Sequence, residues 1–582
     1  MTDVSVEAAT SPERDLGQLS LPYELRLGVT GHRTLDRPAE VEGAVDRLLA
    51  QINTILGHQD RAPIQWTVIS PLAKGADRIV ARAALRLTGA RLEVVTPFAL
   101  AEYRKDFVES EDLQEFERLL AKATRPAVEL NKEKPPTDAA GGNRGYFEAG
   151  AAVADSCEIL IAIWNGRPAA GAGGTSEIVC HALEHRRIVL WINTEDPAAE
   201  PSMLVPAGAR RATGSAAGVP FRALPLPRKA KHLSIGHHRL AAFLRDPAID
   251  ESTYASSVRG EATMLRGQAR KAGLEESRLQ PILSQLLPYY VRADKLAMHY
   301  QKRHVLGSKG LFYLSAAAVS VVVFQVIFLP RQTWIVLFEI AAMIGVVLWL
   351  VANRRQAWHE KWIHDRFLAE QLRISIFTLL FEKDPIGRLA HAPRTLPFYV
   401  GPQNWLPGAV RQILAQTSIP QLDPKELDAV RRFIVLAWLG GQRKFHERTA
   451  QRKQQLHRRA RRMVLFLFCV TLSMAILHLG GLGETHDRSP LLAAGPWFTF
   501  LAIVLPAWGA AVHGISKQFE YDRIAARSEQ MTQLLDHFVE RAELASSWEQ
   551  LRNIVQEAAH VMGLESYEWW VLLSFEPPEL AP

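Results

Sequence analysis

Cysteine is scarce in this sequence: only Cys157, Cys180 and Cys469 occur among 582 residues. Three cysteines cannot build a disulfide framework, and they point to a reducing compartment. Glycine (37) and proline (33) are too few for a collagenous or low-complexity chain. A dominant charge is missing too. The 68 Lys+Arg against 61 Asp+Glu leave a net +7, which excludes a disordered polyelectrolyte. The opening MTDVSVEAATSPERD is polar and acidic, so no signal peptide is expected there.

Long hydrophobic runs are what the chain does have. Residues 311–329, 333–352, 463–482 and 491–512 are almost free of charge. At ~1.5 Å per residue, each helix would cover the roughly 30 Å of a bilayer core. Four spans are therefore expected. Their flanks carry Lys302, Arg303, Lys309, Arg354, Arg355, Arg458, Arg459, Arg461, Arg462, Lys517 and Arg523, whereas the short connectors hold only Arg331 and Arg488. This bias predicts a multi-pass membrane protein with both termini cytoplasmic. The positive excess then reports topology, and no nucleic-acid partner is expected.

The membrane half reads as a duplication. Each pair of runs is a hairpin followed by a similar helix, Asp365-Arg366…Glu370…Arg373 and Asp522-Arg523…Ala526…Glu529. A period of about 155 residues marks a repeated module rather than a solenoid. Polar groups inside the runs (Gln325, Glu339, His478) are candidates for a pore lining, since such groups face other helices or water. Small residues at 316–318, Gly495 and Gly509 permit close helix packing, and a homo-oligomer in contact with membrane lipids is expected.

The first 195 residues alternate apolar strand runs (25–30, 65–70, 92–96, 159–164 and 188–192) with helical stretches. That alternation predicts an α/β domain with a Rossmann-like parallel sheet, followed by an all-α four-span region with long cytoplasmic helices. Ligands of such sheets bind beyond the strand carboxyl ends. The loops there hold Gly28, Thr30, Gly31, His32 and Arg33; Ser70, Lys74, Gly75, Asp77 and Arg78; Asn165 and Gly166; and Gly173, Gly174, Thr175, Ser176 and Glu177. Glycine lets backbone N–H groups approach an anion, and Arg33, Lys74 and Arg78 suit phosphate. A small phosphate-containing ligand is expected.

The GVTGHR, GADR and GGTSE motifs, in that order, resemble the SLOG superfamily over residues 20–195. That group includes the LOG phosphoribohydrolases, DprA and the sensing region of TRPM channels. The hairpins, with His364-Asp365-Arg366…Glu370…Arg373, Trp438, Gln442, His446 and Glu565…Trp569-Trp570, resemble two-span SLATT effector modules. The resemblance implies a sensor for a nucleotide-derived messenger, a cyclic nucleotide or an ADP-ribose derivative, made by a separate synthase in an anti-phage system. The membrane part would form a pore. The implied divisions are a tail (1–20), the SLOG-like domain (21–195), a linker and cover (196–285), two SLATT-like modules (286–385 and 426–575) and a connector (386–425).

LOG enzymes carry their catalytic glutamate three residues after the loop threonine. Here Ile178 stands at that place and Glu177 comes one residue early, about 100° around a helix. No catalytic residue is therefore assigned. The alternative is a membrane-tethered LOG-like phosphoribohydrolase with Glu177 catalytic. His181-Ala-Leu-Glu184-His185 matches a zinc-protease pattern, but on a helix of a parallel sheet it reads as a solvated face. No metal and no cofactor are expected.

Overall fold

The computed structural model describes residues 19–57, 60–132, 139–167, 174–206, 221–382, 405–420, 422–480 and 494–574. The chain divides into two compact units, one of Gly17–Pro247 with Pro397–Ile413, the other chiefly of Ala248–Leu396 and Leu414–Pro582.

The first unit is built on strands β1 (Tyr23–Gly31), β2 (Ile64–Ser70), β3 (Arg91–Phe98), β4 (Val128–Asn131), β5 (Ile159–Trp164), β6 (Ile188–Asn193), β7 (Ser202–Pro206) and β8 (Phe221–Pro225). They form one sheet in the order β4-β3-β2-β1-β5-β6-β7-β8. All five strands expected from the sequence are present and parallel. Every residue of β5 is buried, as a strand covered on both faces requires. Between strands lie α1 (Pro38–Leu56), α2 (Ala76–Leu85), α3 (Leu100–Tyr103), α4 (Ser110–Leu120), α5 (Ala139–Ser156) and α6 (Thr175–Glu184).

Residues 197–227, read from the sequence as a linker, supply β7, antiparallel to β6, and β8, antiparallel to β7. Proline hid them: Pro206 and Pro225 close strands at the sheet margin, where a missing donor is tolerated. Helices α7 (Ala230–Leu233) and α8 (Ile235–Arg245) follow. Helix α13 (Trp405–Gln416), inside the expected connector, packs Trp405 on Phe243 and pairs Arg411 with Glu24 at 3.3 Å.

In the second unit, α9 (Glu251–Ala272) precedes α10 (Leu287–Phe328), α11 (Val336–Gln356) and α12 (Trp358–Thr378). Further on lie α14 (Leu427–Phe433), α15 (Gly440–Leu479), α16 (Ala494–Gln518), α17 (Tyr521–Leu544) and α18 (Trp548–Ser574). The duplication extends to irregularities. A π-helical turn leads into both α10 (Ile282–Leu286) and α15 (Ile434–Leu439). A non-glycine residue in the left-handed region separates α11 from α12 (Ala357, φ 49°) and α16 from α17 (Glu520, φ 42°). The carbonyls of both residues accept the first bond of the next helix, from Lys361 and Ile524, at 2.9 Å.

Three helical stretches, Glu276–Phe328, Leu427–Leu479 and Ala494–Leu544 (the last spanning the break at Glu520), are long and apolar enough to cross a membrane. The second expected span, 333–352, contains a shorter apolar helical run, Thr333–Trp349. Exposed Leu337, Phe338, Met343, Val347, Leu465, Phe466, Phe468 and Ile476 form apolar surfaces on α11 and α15 that water would not favour. Helix α16 meets α10 through Phe324, Phe328, Trp497 and Phe500, and Trp508 donates to Ser320 Oγ at 3.1 Å.

Candidate functional site

The strand order reverses between β1 and β5, whose neighbours run β2-β3-β4 on one side and β6 on the other. A crevice opens at such a switch point. The loops after β1, β2 and β5 meet there. The His32 amide donates to Ile163 O at 3.0 Å, and the Asn165 amide donates to His32 Nε2 at 3.3 Å. One histidine thus ties the ends of β1 and β5 across the switch.

The glycines divide by role. A side chain at Gly31 would collide with Ala76 and Ile163, and one at Gly75 (φ +86°) would meet the carbonyls of His32 and Arg33 at 2.5 Å. These two glycines bring the start of α2 against the end of β1, where the helix N-terminus faces the crevice edge. Gly28 lies deeper, and an added Cβ would come 2.6 Å from Cys157 Sγ. Its smallness serves packing against α5. Gly166 takes φ +78° in the turn after β5.

The cations part company as well. Arg33 is exposed, and its guanidinium lies 4.7 Å from the centre of the Tyr146 ring. Lys74 is bonded to Glu109 (3.2 Å) and Asp112 (2.7 Å). Arg78 is only 1% exposed; it donates to Leu72 O and pairs with Glu115 at 3.0 Å, with Phe107 beneath it. Its charge holds the loop after β2 from inside. Leu72, at φ 57°, is fixed in that loop by a bond from its amide to Ser70 Oγ.

Asp77, in the first turn of α2, is buried and takes a bond from the Ala73 amide at 3.3 Å. Burial raises its pKa to about 7, against the opposing pull of Arg33 and Arg78. Tyr146 donates to Asp106 at 2.5 Å; burial, then that bond, push its hydroxyl up to about 12. Tyr103, also buried, is raised well above the usual tyrosine range by burial. The sequence reading missed Asp106, Tyr103 and Tyr146 as site residues. The Glu102-Tyr103-Arg104 run after β3 was the available signal.

Thr30 is buried in β1, while Thr175, Ser176 and Glu177 are half-buried at the start of α6, with Gly174 as its N-cap. Gly173 lies outside the described residues. In the helical unit, Gln325 and Glu339 are half-buried, whereas His478 is exposed on α15. Comparison with known proteins finds no matching family model and no matching curated protein.

Proposed function

We propose that this protein is a ligand-gated membrane effector of bacterial anti-phage signalling. Its sheet unit would bind a nucleotide-derived messenger, and its helical unit would perturb the inner membrane or form a pore. The reading rests above all on one observation. A glycine-lined crevice edge with a helix N-terminus and an exposed arginine occurs in the same chain as three helices of membrane-crossing length. Phosphate oxygens would accept from the amides at the start of α2 and from Arg33, while a base or ribose would lie towards Tyr146 and Asn165. The apolar run Thr333–Trp349 would complete a fourth span, placing both termini in the cytoplasm. Binding would shift the helical unit only insofar as the ligand prefers one of its states.

The sensor identity is the SLOG-like one, with SLATT-like modules as effector and a separate synthase supplying the messenger. The test uses the full chain in detergent and in liposomes, against a panel of cyclic nucleotides and ADP-ribose derivatives. One ligand should raise the melting temperature and stimulate ion flux, and Arg33→Ala should weaken its binding about tenfold or more, the loss of one charge-assisted contact. Cleavage of a nucleoside substrate without flux, abolished by Glu177→Gln, would instead establish the tethered phosphoribohydrolase. Flux and binding unaltered by Arg33→Ala would remove the crevice from the mechanism.

A further inference from the structure

At the opposite end of the strands from the crevice, where β5 and β6 begin, the end of α5 and the end of α6 bring Asp155, His181 and His185 together. Their potential ligand atoms all lie within 4.8 Å of one another. His181 Nε2 is 3.1 Å from Asp155 Oδ1, and the two imidazole rings are 4.1 Å apart. We propose that these three residues bind one divalent late-transition-metal ion, Zn2+ by preference, at a site with open coordination positions.

The chemistry follows from the donors. Two imidazoles and one carboxylate favour zinc and its neighbours over magnesium or calcium, which seek all-oxygen shells. Zinc bonds of about 2.0–2.2 Å at tetrahedral angles set neighbouring donors roughly 3.3 Å apart. The cluster therefore closes on an ion by side-chain adjustment alone. His185 is already oriented. Its Nδ1 lies 2.8 Å from His181 O, and as the donor of that bond it leaves Nε2 free to ligate. This is the outer-shell arrangement that ligating histidines use.

Arg187 plays a comparable part for the carboxylate. It donates to the Asp155 backbone oxygen at 3.0 Å and stands 3.8 Å from Oδ1, opposing any charge on an incoming ion while fixing the residue in place. With His185 exposed and the other two ligands half-buried, solvent can reach the remaining positions. Glu184, the general base of the zinc-protease pattern, is exposed and stands outside the cluster, so the site shares only its two histidines with that pattern. The acid comes from α5, a helix away in sequence. An ion here would pin the far end of α6, the helix whose first turn carries Thr175, Ser176 and Glu177.

The test is titration of the untagged full chain in detergent with Co2+, read by its visible absorption, followed by displacement with Zn2+. One equivalent should bind with a tetrahedral or five-coordinate spectrum. His185→Ala and Asp155→Asn should each weaken binding about tenfold or more, while Glu184→Gln should leave it unchanged. Melting curves without metal check that each variant is folded; for any that is not, His185→Gln at the exposed position serves in its place. Equal affinity in Asp155→Asn would reduce the site to a surface histidine pair and overturn the proposal. Loss of binding in Glu184→Gln, or no saturable uptake by the wild type, would overturn it as well.

Discussion

The two copies of the helical module share a plan yet occupy different surroundings. In the first, α12 is buried along much of its length and α10 chiefly between Leu287 and Leu311; α12 hides Phe367, Leu368 and Leu372 but also Asp365, Glu370 and Gln371. In the second, α15 buries only Gln442 and His446 among its described residues, and α17 buries a single stripe, from Tyr521 through Ala525, Ser528, Met531 and Leu535 to Phe538 and Ala542. Helix α12 is covered on several faces, polar residues included, whereas a helix with a single buried stripe such as α17 lies at the surface. Duplication has therefore kept the backbone and divided the labour between centre and periphery. The charges follow the same division. Glu370, 8% exposed, sits between Arg366 and Arg373, whereas Arg527 reaches the exposed Glu568 at 2.9 Å.

That contrast can be broken most forcefully at its centre. Glu370→Ala leaves two arginines without their shared partner and should cost about 3–5 kcal/mol in detergent unfolding. Glu568→Ala, at the periphery, should cost about 1 kcal/mol or less. Comparable losses would erase the distinction between inner and outer copy.

Acid provides a test of intermediate size. Burial, with His359 adding to it, lowers His304 to about 4, and burial, with Arg373, Arg366 and Arg527, lowers His446 to about 4. Between pH 6.5 and 4 the unfolded chain then binds protons that the folded chain refuses. Stability falls as pH drops through this window and levels off above it. His304→Gln and His446→Gln should each flatten part of that limb by up to roughly 3 kcal/mol. Glu565, which faces His446 at 3.8 Å and is itself raised by burial, contributes with the opposite sign. An acid limb unchanged in both variants would show that the copies do not each bury a neutral histidine.

The smallest effect should be the same in both copies. Ala357→Gly and Glu520→Gly relieve a left-handed residue and should each stabilise by about 1 kcal/mol, measured by thermal unfolding. A gain confined to one copy would mean that only one break is strained.

Much of this architecture was legible in advance, for definite reasons. The run ILIAIW has no polar face, so it announced a buried parallel strand, and the crevice loops followed from where the strands end. Strands β7 and β8 were hidden by prolines that read as linker. The site's cations looked alike in sequence, because only tertiary packing separates the buried Arg78 from the exposed Arg33. Asp155 could not be joined to His181 without knowing that α5 and α6 lie side by side. The π-turns and the left-handed residues leave no compositional trace, for neither Ala357 nor Glu520 is a glycine.

Those two left-handed residues act as punctuation in the helical text. An unbroken helix carries its phase forward, so a residue inserted near its start rotates every side chain after it by about 100°. At Ala357 and Glu520 the count begins again. The membrane-length segments can lengthen, shorten or turn against their surroundings without re-aiming Glu370 and Arg373 in one copy, or the Tyr521 stripe in the other. The apolar and the polar legs of each module are thus free to evolve as separate clauses.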